Sequence, residues 1–154
     1  MTQTALFQSL HFTGVAVYGL SIFFFVILLW RSGSEAERLQ RHRRFLSWGP
    51  VLGLSMGALI FGGLGLYYLE QGGFKWGLAD RGEQLTAITH GLFLVLWVSH
   101  FHLEIWTQEP LRKLDGENGP SDTSAWEAAC TRVSRQLRFN LLLFLAIAWL
   151  SVQI

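Results

Sequence analysis

The sequence predicts an all-α, integral membrane four-helix bundle that runs up-down-up-down. Three observations predict it. The chain is 51% hydrophobic and 14% aromatic but only 15% charged, where soluble domains carry about 25% charged residues. It contains four apolar runs long enough, or nearly so, to cross a hydrocarbon layer of about 30 Å. Its arginines and lysines cluster in alternate connectors, as the positive-inside rule requires. With 154 residues the chain is one transmembrane domain, residues 1–154, with spans at about 5–30, 46–69, 84–107 and 139–154.

The first span, Ala5 to Trp30, ends at Arg31 and Ser32-Gly33-Ser34. It lacks a basic segment before the apolar run, so it is expected to be a permanent span rather than a signal peptide. Ser34 and Glu37 have capping-box spacing, which predicts a helix start there. That helix opens with the basic segment EAERLQRHRRF, expected to stand in the interface, and enters the second span near Leu46, where Pro50 is positioned to kink it. His42 belongs to this basic segment and is expected to be solvated. Gly49, Gly53 and Gly57 form an i+4 stripe that either lets helices approach closely or leaves clearance for a flat macrocycle. A glycine-rich connector with Trp76 as an interface anchor leads to the third span, which Pro110 is expected to close. Ser124 and Glu127 repeat the capping-box spacing before an amphipathic stretch that enters the membrane near Phe139. The fourth apolar run is short, so the chain is expected to end inside the far interface.

Orientation follows from the cations. Arg31, Arg38, Arg41, Arg43 and Arg44 lie after span one. Arg112, Lys113, Arg132, Arg135 and Arg138 lie between spans three and four, and only Lys75 and Arg81 between spans two and three. This places both termini outside the cytoplasm, with the second and fourth helices extended into it. Topology accounts for the arginine clusters, so nucleic-acid binding has no support. The single Cys130 excludes an internal disulfide and any CxxC motif and is expected to be a small buried side chain. No phosphate loop or nucleophile-base-acid set occurs in the spans. Glu70 and Glu104 lie near opposite faces, which rules out paired-carboxylate catalysis.

Ionisable residues inside spans are costly and mark functional sites. His11 and His90 each lie about six residues inside parallel spans, roughly 9 Å below the outer face at 1.5 Å per residue. Spans one and three are diagonal in an up-down bundle, about 11–14 Å apart. Two imidazoles reaching across that gap are placed to ligate a haem b iron on both axial sides. The bland alternative is a histidine that hydrogen-bonds a neighbouring helix. Around the site, Gly14 would leave room for the ring, Thr86 and Trp97 lie on the His90 side, and Lys75 and Arg81 are the cations near enough for propionates. His100 and His102 point about 160° apart on a helix, so they cannot chelate together and are weaker metal candidates. Glu104 is a proton acceptor or a partner for Arg135 or Arg138.

Four stretches, LHFTGVAVYG, RHRRF, SHFHLEIW and RVSRQLRFNLLLFL, resemble the superfamily that unites membrane-bound protoporphyrinogen oxidases of many bacteria with the copper-resistance protein D family. The resemblance implies that His11 is a haem ligand. It also implies an essential lysine on span three, where this chain has His90 at or near the position. A Tyr-His pair closing span three is replaced by Ser99-His100 and Phe101-His102, while Arg135 or Arg138 and Asn140 match the start of span four. The missing lysine favours a bis-histidine cytochrome over porphyrinogen oxidation. The copper family predicts methionine-rich spans, whereas Met1 and Met56 are the only methionines. The expected function is thus a haem b redox protein of the bacterial inner membrane that transfers electrons or oxidises a porphyrinogen or quinol. Its expected partners are lipid and a redox protein, quinone or porphyrin. Copper transport, or a structural role as homo-oligomer or subunit of a larger membrane complex, are the alternatives.

Overall fold

The computed structural model describes residues 2–72, 78, 80–116 and 119–153. Within them the fold is helical apart from one two-residue antiparallel pairing, Asp115–Gly116 with Gly119–Pro120. Four helices are long and apolar enough to cross a bilayer, spanning Gln3–Trp30, Gly49–Glu70, Arg81–Leu114 and Thr123–Ser151. Their outward side chains agree with that environment: Phe12, Leu20, Leu54, Phe61 and Leu142 are each about two-thirds or more exposed. A soluble monomer rarely shows so much contiguous apolar surface. The chain therefore reads as a multi-pass membrane protein.

Local chemistry sets the helix ends. Helix α1 (Gln3–Trp30) is capped by the Thr2 hydroxyl, which accepts from the Ala5 amide at 3.3 Å. Helix α2 (Glu35–Ser47) starts at the expected capping box, Ser34 and Glu37 each accepting from the other's backbone. The expected kink at Pro50 is a full break instead. Trp48 separates α2 from α3 (Gly49–Gln71), its amide bonding Phe45 O at 3.0 Å to tighten the last turn. Proline has no amide to donate to Leu46 and its ring crowds that turn, so it is stable only in the first turn of a new helix. At the other end of α3, Gly72 has φ +65°, the left-handed conformation that favours glycine after a helix.

Helix α4 (Arg81–His102), capped by the Asp80 carboxylate, corrects a second expectation. Pro110 does not close it. The chain passes through a π-helical turn, Leu103–Gln108, into α5 (Glu109–Leu114), with Pro110 in the first turn of α5. The π turn shifts the hydrogen-bond register, so the missing amide falls where no bond is needed. Helix α6 (Thr123–Ser151) is capped by Asp122, which accepts from the Ala125 amide and the Ser124 hydroxyl, both at 3.0 Å. Asp122, rather than Ser124, is the cap.

Helix α1 packs most extensively on α3, and α6 lies against α1, α4 and the π turn. Glycine makes the α1–α3 seam possible. A Cβ on Gly14 would overlap the Leu59 backbone, one on Gly62 the His11 backbone, and one on Gly65 the Phe7 ring. Residue numbers rise along one helix as they fall along the other, so the pair is antiparallel. The Gly53–Gly57 part of the predicted stripe is different: a Cβ at either position meets nothing within 4 Å. Close approach thus uses Gly14, Gly62 and Gly65.

The basic helix α2 is pinned to the rest of the bundle. Phe45 lies edge-on to Phe25 of α1 at 5.2 Å. Arg38 pairs with Glu127 at 3.2 Å, and Arg43 with Asp115 at 2.7 Å. His42, expected to be solvated, is buried and stacks edge-on against Trp126 at 5.4 Å. Its Nδ1–H donates to Arg38 O at 2.9 Å. Burial holds the His42 pKa below its usual value, and the charges of Arg41 and Arg38 act in the same direction. The neutral ring is therefore the folded form. The stability it contributes is full above the ordinary histidine pKa of about 6.5 and is lost as pH falls through the depressed folded value. The protection factors of the α2 amides, exchange rates corrected for their intrinsic pH dependence, are expected to fall between about pH 7.5 and 5 in the native chain, but not in His42→Phe. A flat profile in the native chain would contradict a neutral, buried ring.

Candidate functional site

Both predicted histidines meet α3. His11 projects from α1 across the glycine seam, and its Nδ1 lies 3.2 Å from Leu59 O. A carbonyl can only accept, so Nδ1 carries the proton. The ring lies over Gly63, where a Cβ would sit 3.1 Å from Nδ1. His90 on α4 donates from Nδ1 to Thr86 O at 2.8 Å, and its ring meets Tyr67 edge-on at 4.9 Å. Residues 59, 63 and 67 succeed one another at i+4 on one stripe of α3. His11 thus touches α3 at residues 59 and 63, and His90 touches it through the Tyr67 ring.

A second constellation lies deeper, among α1, α4 and α6. Tyr18 OH is 3.4 Å from His100 Nδ1, with the rings edge-on at 5.4 Å. The Ser99 hydroxyl donates to Asn140 Oδ1 and accepts from Gln136 Nε2. Tyr18 and Asn140 are fully buried, and His100 is 4% exposed. Among the described residues, two nitrogens in this network, His100 Nε2 and Asn140 Nδ2, have no hydrogen-bond partner. Buried polar groups are normally satisfied, so such exceptions call for an explanation.

The sequence pointed to His100 and Asn140 but missed Tyr18, Ser99 and Gln136. A signal for them was present. Tyr18 stands two turns from His11 on the same face of α1, and Gln136 and Asn140 share a stripe at i+4 on α6. Toward the end of the third span, Glu104 accepts from Gln108 Nε2 at 3.0 Å and faces Arg112 at 4.0 Å. Its cation is Arg112, not Arg135 or Arg138.

The chain matches no protein-family model, no curated protein and no solved structure. What the site does therefore has to be read from its residues.

Axial ligation of a haem b iron needs neutral imidazoles that present Nε2, usually with Nδ1–H held by a backbone carbonyl. His11 and His90 both have that arrangement, so the donor set fits. Their surroundings fit less well than the sequence suggested. Gly14 gives no clearance, because the α3 backbone fills the space beside it. Trp97 is 38% exposed and packs edge-on to Phe101 at 5.5 Å. Arg81 is exposed at the first residue of α4; Lys75 and Trp76 lie outside the described residues. His102 is exposed while His100 is buried, which agrees with their opposite directions. Among the described residues no three His, Cys, Asp or Glu side chains gather to hold a metal ion, so copper handling gains no support. Cys130 is buried, as expected.

Proposed function

We propose that this chain is a membrane redox protein of the bacterial inner membrane that holds a haem b through His11 and His90. The observation that carries the reading is the tautomer set on both rings. Nδ1–H of each imidazole is committed to a carbonyl, that of His11 across a helix interface, and this tautomer puts the lone pair on Nε2, the nitrogen that would ligate an iron. Bound there, a haem b supplies reversible one-electron transfer, either as a carrier or in oxidation of a porphyrinogen or quinol. The chain's own contribution is orientation: the Leu59 carbonyl of α3 holds the His11 ring, and the Thr86 carbonyl and the Tyr67 ring hold that of His90.

Four spans running up-down-up-down, with both termini extracytoplasmic, agree with ten cations in the cytoplasmic connectors against two outside. The antiparallel α1–α3 contacts support the same arrangement.

The test is a dithionite-reduced minus oxidised visible spectrum of detergent-purified protein, with His11→Ala and His90→Ala. A sharp alpha band lost in both variants is the expected result. A haem spectrum that survives His90→Ala would overturn bis-histidine ligation and return the oxidase-like arrangement with His11 alone. No haem after expression with ample haem supply would remove the cofactor altogether and leave a structural subunit.

A further inference from the structure

A groove runs down the outside of the bundle between α1 and α6, lined by Val26, Leu29 and Trp30 on one side and Ser134, Leu137 and Arg138 on the other. Its floor is apolar and one wall carries a cation. The Arg138 guanidinium lies 5.6 Å from the centre of the Trp30 ring, and its Nε donates to Ser134 O at 3.2 Å. Stacking on indole holds the charge in place without neutralising it. Among the described residues no carboxylate lies within ion-pair distance of Arg138. Arg31 follows Trp30, and Arg41 donates to its carbonyl at 2.9 Å. Arg41 is thus tied to the end of α1, and it also feels the charge of Glu37. On the adjoining side of α1 a second apolar strip, Phe23, Phe24 and Ile27, likewise ends on Arg31.

We propose that this groove binds one anionic phospholipid, its phosphate on Arg138 and an acyl chain along Val26, Leu29 and Leu137. Charge complementarity selects the occupant. A fixed cation at the end of a span, lacking an internal counter-ion, stands at the height of the headgroup phosphates, and basic pockets between spans select anionic headgroups there. A free phosphate would satisfy the cations but leave the apolar floor uncovered. A zwitterionic lipid would cover the floor while bringing a second cation toward the arginines. An anionic lipid satisfies both halves of the groove. The site is independent of any haem.

The test is native mass spectrometry of the full chain in detergent with equimolar phosphatidylglycerol and phosphatidylcholine. The native protein is expected to retain phosphatidylglycerol preferentially. Arg138→Gln is expected to lower that preference about fivefold, the value of one arginine near a charged headgroup. Trp30→Leu, which keeps the charge but removes its support, is expected to lower it in the same direction and covers the case in which Arg138→Gln does not fold. Arg44→Gln, on α2 and outside both strips, is expected to change nothing. Equal retention of the two lipids by the native chain would overturn the proposal. So would equal losses in Arg44→Gln and Arg138→Gln, which would show diffuse attraction rather than a site. Displacement of phosphatidylglycerol by excess inorganic phosphate would reassign the site to a free anion.

Discussion

Gly14→Val and Gly62→Val are expected to be among the most destabilising single substitutions in the chain. At each position an added carbon meets backbone of the facing helix rather than a yielding side chain: Leu59 in one case, His11 in the other. Overpacking a core costs about 1–3 kcal/mol when side chains can shift, and more when backbone must move. A lower melting temperature in detergent, by scanning fluorimetry, checks the expectation. The matched controls are Gly53→Ala and Gly57→Ala, where a Cβ meets nothing within 4 Å. Alanine there removes a helix-propensity penalty of about 1 kcal/mol, so these variants should be neutral or more stable. The two pairs also separate stability from the site. Forcing α1 off α3 pulls His11 away from Leu59 O, so Gly62→Val should lose, together with stability, the haem that the proposed function assigns to His11. Gly53→Ala should lose neither. If Gly14→Val melted with the native protein, the α1–α3 seam would not be as close as described.

The contrast between these glycines also shows what was legible in the sequence. A glycine stripe announces that backbone can be approached, but not by what. Gly49, Gly53 and Gly57 were conspicuous because they repeat at i+4. The partner is set by the rotation of α3 about its axis, which depends on all of its contacts. The four apolar runs and the Ser34–Glu37 cap were readable because each depends on residues close in sequence. The burial of His42 was not. A histidine among arginines looks solvated until Trp126, distant in sequence, is folded against it. The π turn was equally hidden, since Leu103–Gln108 has no residue that demands it and only the hydrogen-bond register reveals it. Of the site, the two histidines could be named from their depth alone. Their carbonyl partners depend on packing for His11 and on a side-chain rotamer for His90.

The second large effect is expected at Tyr18 and His100, and it is non-additive. Tyr18→Phe removes the hydrogen-bond partner of His100 Nδ1, and the other ring nitrogen has none among the described residues. It therefore leaves a fully desolvated imidazole, at a cost of about 1–3 kcal/mol. His100→Leu removes both nitrogens and fills similar space but takes this partner from the buried Tyr18 hydroxyl, so it should cost no more than Tyr18→Phe. In the double variant no imidazole is left stranded, and most of the Tyr18→Phe penalty should disappear. Side-chain hydrogen bonds inside membrane proteins measured by such cycles average about 0.6 kcal/mol and reach about 1.7. A coupling in that range, read from the four melting curves, would confirm that Tyr18 and His100 act as a pair. Additive losses would show that the 3.4 Å contact is incidental. The His100→Leu result also bears on function. A polar ring that weakens the fold where leucine would serve is present for its chemistry, and Tyr18 places it about 10 Å beneath His11 along α1. If His100→Leu instead proved as damaging as Tyr18→Ala, the ring would be ordinary core and its Nε2 would have a partner, such as a buried water. The polar cluster would then be structural, and any redox role would rest on His11 and His90 alone.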